Sequence, residues 1–187
     1  MMIVVVTGLP RSGTSLMMQM LEAGGMEVLT DGVRKPDEDN PRGYYEFERV
    51  KRLPEDTGWL DEAEGKVVKV VSMLLDKLPG DRKYKVIFMK RKLEEVLVSQ
   101  AKMLRRLGKP YRPEDDRKLL EVFRKHLREL ERWVTRQKNM DVIYVSYNEI
   151  IEEPRVNAER INRFLGGGLD VDSMVNVVDK QLYRERR

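Results

Sequence analysis

The sequence predicts an α/β domain, a three-layer arrangement in which helices flank a mainly parallel central sheet. Three observations predict it. Short runs rich in valine and isoleucine recur along the chain, amphipathic segments separate them, and a glycine turn joins the first run to the first helical segment. In such sheets ligands gather at the carboxyl ends of the strands, so the residues that end each run are the ones to watch.

Val4 to Val6 forms the first strand, β-branched throughout, as suits a strand covered on both faces. The turn from Gly8 to Gly13 leads into TSLMMQMLEAGG, a helix that stops at Gly24–Gly25. Met17, Met18 and Met20 of that helix are expected to fill the core. Residues 30–45, TDGVRKPDEDNPRGYY, carry two prolines and two glycines and read as a loop long enough to suspect a function. EFERVKRL is a short helix candidate, KVVKVVS (66–72) the second strand, and MLLDKL a short helix closed by Pro79–Gly80. YKVIFMK (84–90) is the third strand, followed by the helix LEEVLVSQAKMLRRL. Leu119, Leu120, Phe123, Leu127, Leu130 and Val134 repeat at helical spacing along 114–138. DVIYVSY (141–147) is the fourth strand, Pro154 to Leu165 a helix ended by Gly166 to Gly168, and a short helix comes last.

With 187 residues, 41% of them hydrophobic, the chain suits one domain, taken as 1–187, with a single core. The net charge of +4 is mild and its signs are interleaved, which argues for solvated faces and against a nucleic-acid partner. There is no cysteine, so neither a disulfide framework nor a thiolate metal site is available. The apolar stretch from Met1 to Val6 is too short for a signal peptide or a membrane span, and nothing later reaches spanning length. A cytoplasmic protein without a membrane partner is expected.

The turn GLPRSGTS (8–15) has nearly the spacing of the phosphate-binding loop GxxxxGK[ST]. Gly8 and Gly13 occupy the glycine positions and Ser15 the hydroxyl position, but Thr14 replaces the lysine and Arg11 is the loop's one cation. Backbone N–H groups and a helix dipole still converge there, so the turn is an anion cradle. A nucleoside-triphosphate reading lacks that lysine, and no strand ends in an aspartate that would help hold magnesium. Lys90–Arg91, closing the third strand, suits a second anion better than a metal ion.

These residues resemble the sulfotransferases that use 3′-phosphoadenosine 5′-phosphosulfate, enzymes of P-loop-like α/β fold. PRSGTS resembles their 5′-phosphosulfate loop, P-[KR]-S-G-T-[TS]. VIFMKRKLEEVLVSQ resembles their 3′-phosphate site, where an arginine at the strand end and a serine eight residues on hold the phosphate; Arg91 and Ser99 have that spacing. VSYNEIIEEPRVNAERINRFLG resembles the segment carrying a tyrosine near the adenine, here Tyr147. DNPRGYYEFE is similar to bacterial members. The chain departs from the branches acting on phenols and steroids in two places. Lys69 matches the lysine of their K-T-H strand, but Val71 replaces the histidine, and their C-terminal R-K-G segment is absent, leaving Arg184 or Arg186 as substitutes.

The resemblance implies a sulfuryl transfer to a hydroxyl or amine, with 3′-phosphoadenosine 5′-phosphate (PAP) as product and no metal. Pro10, Arg11, Ser12, Gly13, Thr14, Ser15, Arg91, Ser99 and Tyr147 would bind the nucleotide. Arg11 and Lys69 would stabilise charge on the leaving group, and Glu46 is the candidate base, with Glu48 and Asp31 behind it. The only histidine, His126, lies far from every motif and reads as structural or exposed. Tyr44 and Tyr45 either line an acceptor pocket or pack their loop down. The acceptor would be a small molecule, carbohydrate or peptide, and a homodimer could complete its side of the site. A P-loop-type small-molecule or nucleotide kinase and a non-catalytic nucleotide-binding module are the alternatives.

Overall fold

The computed structural model describes residues 2–37, 40 and 42–178; Arg184 and Arg186 lie outside them. Five strands form one sheet: β1 (Ile3–Gly8), β2 (Val28–Leu29), β3 (Val67–Val71), β4 (Tyr84–Lys90) and β5 (Met140–Ser146). Their order is β2-β3-β1-β4-β5 and every pairing is parallel. Val5 lies between Val68 and Val86, so the first strand in the chain is the central one.

The sequence expectation of four strands falls one short because β2 is only two residues long, too brief to show alternation. The helices are α1 (Thr14–Ala23), α2 (Leu93–Arg106), α3 (Asp116–Val134), α4 (Tyr147–Glu152), α5 (Pro154–Leu165) and α6 (Val171–Asn176). The two short helix candidates fold as 3₁₀ turns, Glu48–Arg52 and Ser72–Lys77. Helix α3 contains the whole apolar repeat but is shorter than the expected 114–138 at both ends: the chain enters through a 3₁₀ turn at Pro113–Asp115 and the helix stops at Val134, with Thr135 as its C-cap. The fourth expected strand ends one residue early: Ser146 caps α4, its Oγ accepting the Glu149 N–H at 3.3 Å, and Tyr147 begins that helix.

Alternation along β1 builds two cores. Ile3 and Val5 face Trp59, Val68, Val70, Leu130 and Val134 on one side of the sheet. Val4 and Val6 face Met17, Met18, Met20 and Leu21 of α1 and Ile161 of α5 on the other. The three methionines are fully buried, as the sequence implied. Leu9, just past β1, packs with Val96 and Leu97 of α2 and Phe123 of α3 in a third cluster. Each buried aliphatic side chain contributes about 1.5–3 kcal/mol, so the central strand and the loop leaving it are strongly held. No helix among the described residues is long and apolar enough to cross a membrane.

Candidate active site

A cleft of about 620 Å³ opens where β1, β3 and β4 end. The turn 8–13 forms its floor. Gly13 is the N-cap of α1 with φ 96° and no side chain to cap the helix, and no acidic residue stands in the first turn. The leading N–H groups of a helix have no carbonyl behind them, so this end presents donors and partial positive charge to the cleft. A Cβ on Gly13 would lie 2.4 Å from Cδ2 of Tyr147, and one on Gly8 would lie 2.5 Å from Ser12 Oγ. The turn therefore needs both glycines. Ser12 Oγ is buried without a hydrogen-bond partner among the described residues. That hydroxyl packs against Gly8 outside the cleft lining, so it is the donor-lined start of α1 that fits an anion.

Two cations reach this cradle from different elements. Arg11, itself at φ 69°, sends its side chain to α2, where Nε donates to Ser99 Oγ at 2.9 Å. Lys69 rises from β3 and donates to Ser15 Oγ at 3.0 Å and to the Tyr44 carbonyl at 2.6 Å. Burial drives the Lys69 ammonium down to about 8; Arg34 and Arg11 push the same way, and Glu46 opposes them.

Arg91, just beyond β4, stands at the second expected anion site. Its NH1 donates to the Arg11 carbonyl at 3.1 Å, and its guanidinium lies 4.4 Å from the centre of the Tyr147 ring. Glu95, completely buried, accepts from Arg91 Nε at 3.0 Å. Two expected anion sites, one in the turn and one at Arg91–Ser99, thus meet at Arg11. Lys90 does not join them: it pairs with Glu131 at 2.6 Å and sits over the Tyr144 ring.

The family sequence profile of the Sulfotransferase domain matches residues 3–186. The chain belongs to this sulfotransferase family. No match was found among curated proteins. Among solved structures, mouse sulfotransferase SULT7A1 complexed with PAP is similar at 19% identity and TM-score 0.55, over 94% of this chain and 62% of that one. The sulfotransferase domain from the curacin biosynthetic pathway is similar at 14% identity and TM-score 0.55, over 95% and 77%. Retinol dehydratase, in complex with androsterone and inactive cofactor PAP, is similar at 19% and TM-score 0.53, over 96% and 63%. At these identities the likeness is one of fold. The chain spans about 62% of the length of the mouse protein.

The other candidates of this sulfotransferase-family chain divide. Glu46 lines the cleft, held by Arg34 at 2.6 Å and Lys51 at 3.5 Å. Asp31 stands apart from the lining: its oxygens accept the Glu48 N–H at 2.6 Å and the Val33 N–H at 3.0 Å. Desolvation tends to raise its carboxyl, but these backbone donors outweigh it, and the net shift is downward. Glu48 is also outside the lining and pairs with Lys51 at 2.6 Å. Tyr44 lines the cleft, its hydroxyl donating to Asp37 Oδ1 at 2.7 Å, whereas Tyr45 turns away to Glu22. Arg34 stacks 3.4 Å from the Tyr44 ring centre. The loop is thus both pocket wall and packed strap.

His126 is part-buried, with Nε2 3.0 Å from Oγ of the buried Ser72 at the end of β3. It does not line the cleft, in line with a structural role. Sequence reasoning missed Glu95, because an Arg–Glu pair one helical turn apart usually lies on a surface. It also missed Asn148, whose Nδ2 donates to Glu95 Oε1 at 3.0 Å. No group of three or more His, Asp or Glu side chains among the described residues could hold a metal ion.

Proposed function

We propose that this chain transfers a sulfuryl group from 3′-phosphoadenosine 5′-phosphosulfate to a hydroxyl or amine of a small-molecule acceptor. One observation carries the reading. The uncapped α1 terminus with Arg11 and Lys69, and the Arg91–Ser99 pair, share one cleft and are joined through Arg11. Two cationic subsites at one floor match a nucleotide with a phosphate at each end of its ribose.

When bound, the co-substrate supplies an activated S–O bond. It breaks toward the 5′-phosphate as a new bond forms to the acceptor atom, which loses a proton. The chain's own residues position and stabilise. N–H groups from Ser12 to Ser15 hold the 5′-phosphate, and Arg11 turns from Ser99 toward the leaving oxygen. Lys69 donates to the sulfuryl oxygens, and losing one such donor typically costs ~10²–10³ in rate. Glu46 takes the acceptor proton; each carboxylate oxygen keeps a lone pair beyond its ion pair. The apolar part of the cleft wall, formed by Phe47, Val50, Val71 and Leu74, favours an acceptor with an apolar body.

Calorimetric titration with PAP, AMP and Mg·ATP tests the reading. PAP should bind without magnesium and well above AMP. Preference for Mg·ATP would favour the kinase alternative. Binding of PAP with no turnover across a broad acceptor panel would favour the non-catalytic module.

A further inference from the structure

Arg91 is an unusual anion ligand in that its own position depends on a second, deeper charge. The Glu95 side chain is completely excluded from solvent and that of Arg91 is only 7% exposed. Burying such a pair costs several kcal/mol per ion in desolvation, so the arrangement is weak evidence for stability and calls for another reason. Its geometry supplies one. Glu95 Oε2 accepts from Arg91 Nε at 3.0 Å, and Oε1 accepts from Asn148 Nδ2 at 3.0 Å. Helix α4 places Asn148 next to Tyr147, whose ring edge at Cδ2 closes on Gly13 and whose ring centre lies 4.4 Å from the Arg91 guanidinium. Arg91 NH1 closes the circuit on the Arg11 carbonyl. The guanidinium is thereby fixed along its Nε edge, on its face and at one terminal nitrogen, all by groups outside any ligand.

We infer that Glu95, oriented by Asn148, is a positioning residue that sets the Arg91 guanidinium at a fixed distance from the phosphate turn, and so gives the site its selectivity for a ribose 3′-phosphate. The inference rests on the proposed nucleotide. Tyr147 then acts in part as a spacer between the two subsites. The sign of the effect separates this role from simple electrostatics. Glu95 places a negative charge beside an anion site, so as a bare charge it opposes binding, and removing it would strengthen binding. As a positioning residue it supports binding, and removing its charge weakens the bisphosphate alone.

The test is titration of the full chain with PAP and with AMP, for wild type, Glu95→Gln and Asn148→Ala, with thermal melts recorded alongside. Glu95→Gln should lower PAP affinity by about tenfold or more, the scale of a lost charge-assisted hydrogen bond, while AMP affinity stays nearly constant. Asn148→Ala, which keeps the buried ion pair, should shift the PAP-to-AMP ratio in the same direction by less. It reads the same device if Glu95→Gln fails to fold. Unchanged or tighter PAP binding in a folded Glu95→Gln overturns the inference, as does an equal loss for both ligands in Asn148→Ala. Wild type that binds PAP no better than AMP overturns the nucleotide reading itself, and that result is distinct because it appears before any substitution.

Discussion

Lys69 shows how one residue couples the fold to the chemistry. Its ammonium is held at about 8, below the 10.5 of a free lysine, chiefly because β3 carries it into a desolvated cleft. Between about 8 and 10.5 the unfolded chain therefore binds more protons than the folded one, and Lys69 makes stability rise with pH across that window. Urea melts at the two ends of the window should show this rise, and Lys69→Met should flatten it. A bound phosphate should restore the proton. PAP binding above pH 8 is then expected to take up a proton, seen as a buffer-dependent heat in calorimetry, and to take up none in Lys69→Met. Glu46→Gln, which replaces a basic carboxylate by an amide too weakly basic to take a proton, should lower turnover by ~10²–10⁴ with PAP affinity nearly intact. Full activity in that variant would return the role of base to another group.

At the scale of elements, the site depends on how closely α4 approaches the first turn. Gly13 faces the Tyr147 ring at a φ of 96°, where a side chain would be both strained and in collision. Gly13→Ala should cost about 1–3 kcal/mol of stability. It should also weaken PAP and AMP together, because it moves the turn that serves both; a melt and paired titrations check this. The sequence made the turn legible, since glycine spacing and a following helix are local facts. Arg91 and Ser99 were paired only through the family resemblance, by their spacing of eight. Their junction at Arg11 was not legible, because the Arg11–Ser99 contact spans 88 positions and depends on how α2 leans over the loop. The start of α4 was hidden as well. Tyr147 continues the apolar alternation of β5, and only the Ser146 cap shows where the strand ends. The pair Lys90–Arg91 at the strand end divides in the structure, Lys90 going to Glu131 and Tyr144 while Arg91 lines the cleft.

Taken whole, the molecule joins its core to the acceptor side through Trp59. That ring is fully buried, its Nε1 donates to the Asp56 carbonyl at 2.9 Å, and it packs edge-to-face with Phe47 at 5.7 Å between centres. Trp59→Ala should cost about 3–5 kcal/mol. In folded protein it should raise acceptor KM while leaving PAP affinity close to wild type, because Phe47 belongs to the apolar wall of the cleft and offers no donor or charge to a phosphate; steady-state kinetics with a titration would check both. The parallel sheet was predictable from alternating strand and helix patterns, whereas its order was not, because pairing partners are chosen by the cores on either face. That order has a consequence for how the chain comes into being. β1 precedes both of its neighbours, and neither β3 nor β4 exists until the chain has grown past Val67 and Tyr84. On the ribosome the strand destined to be buried at every position waits unpaired, so the turn that follows it is assembled late. A nucleotide in the cell can rescue only chains already finished through β4, which makes early chaperone contact, and not ligand, the expected guardian of this fold during synthesis.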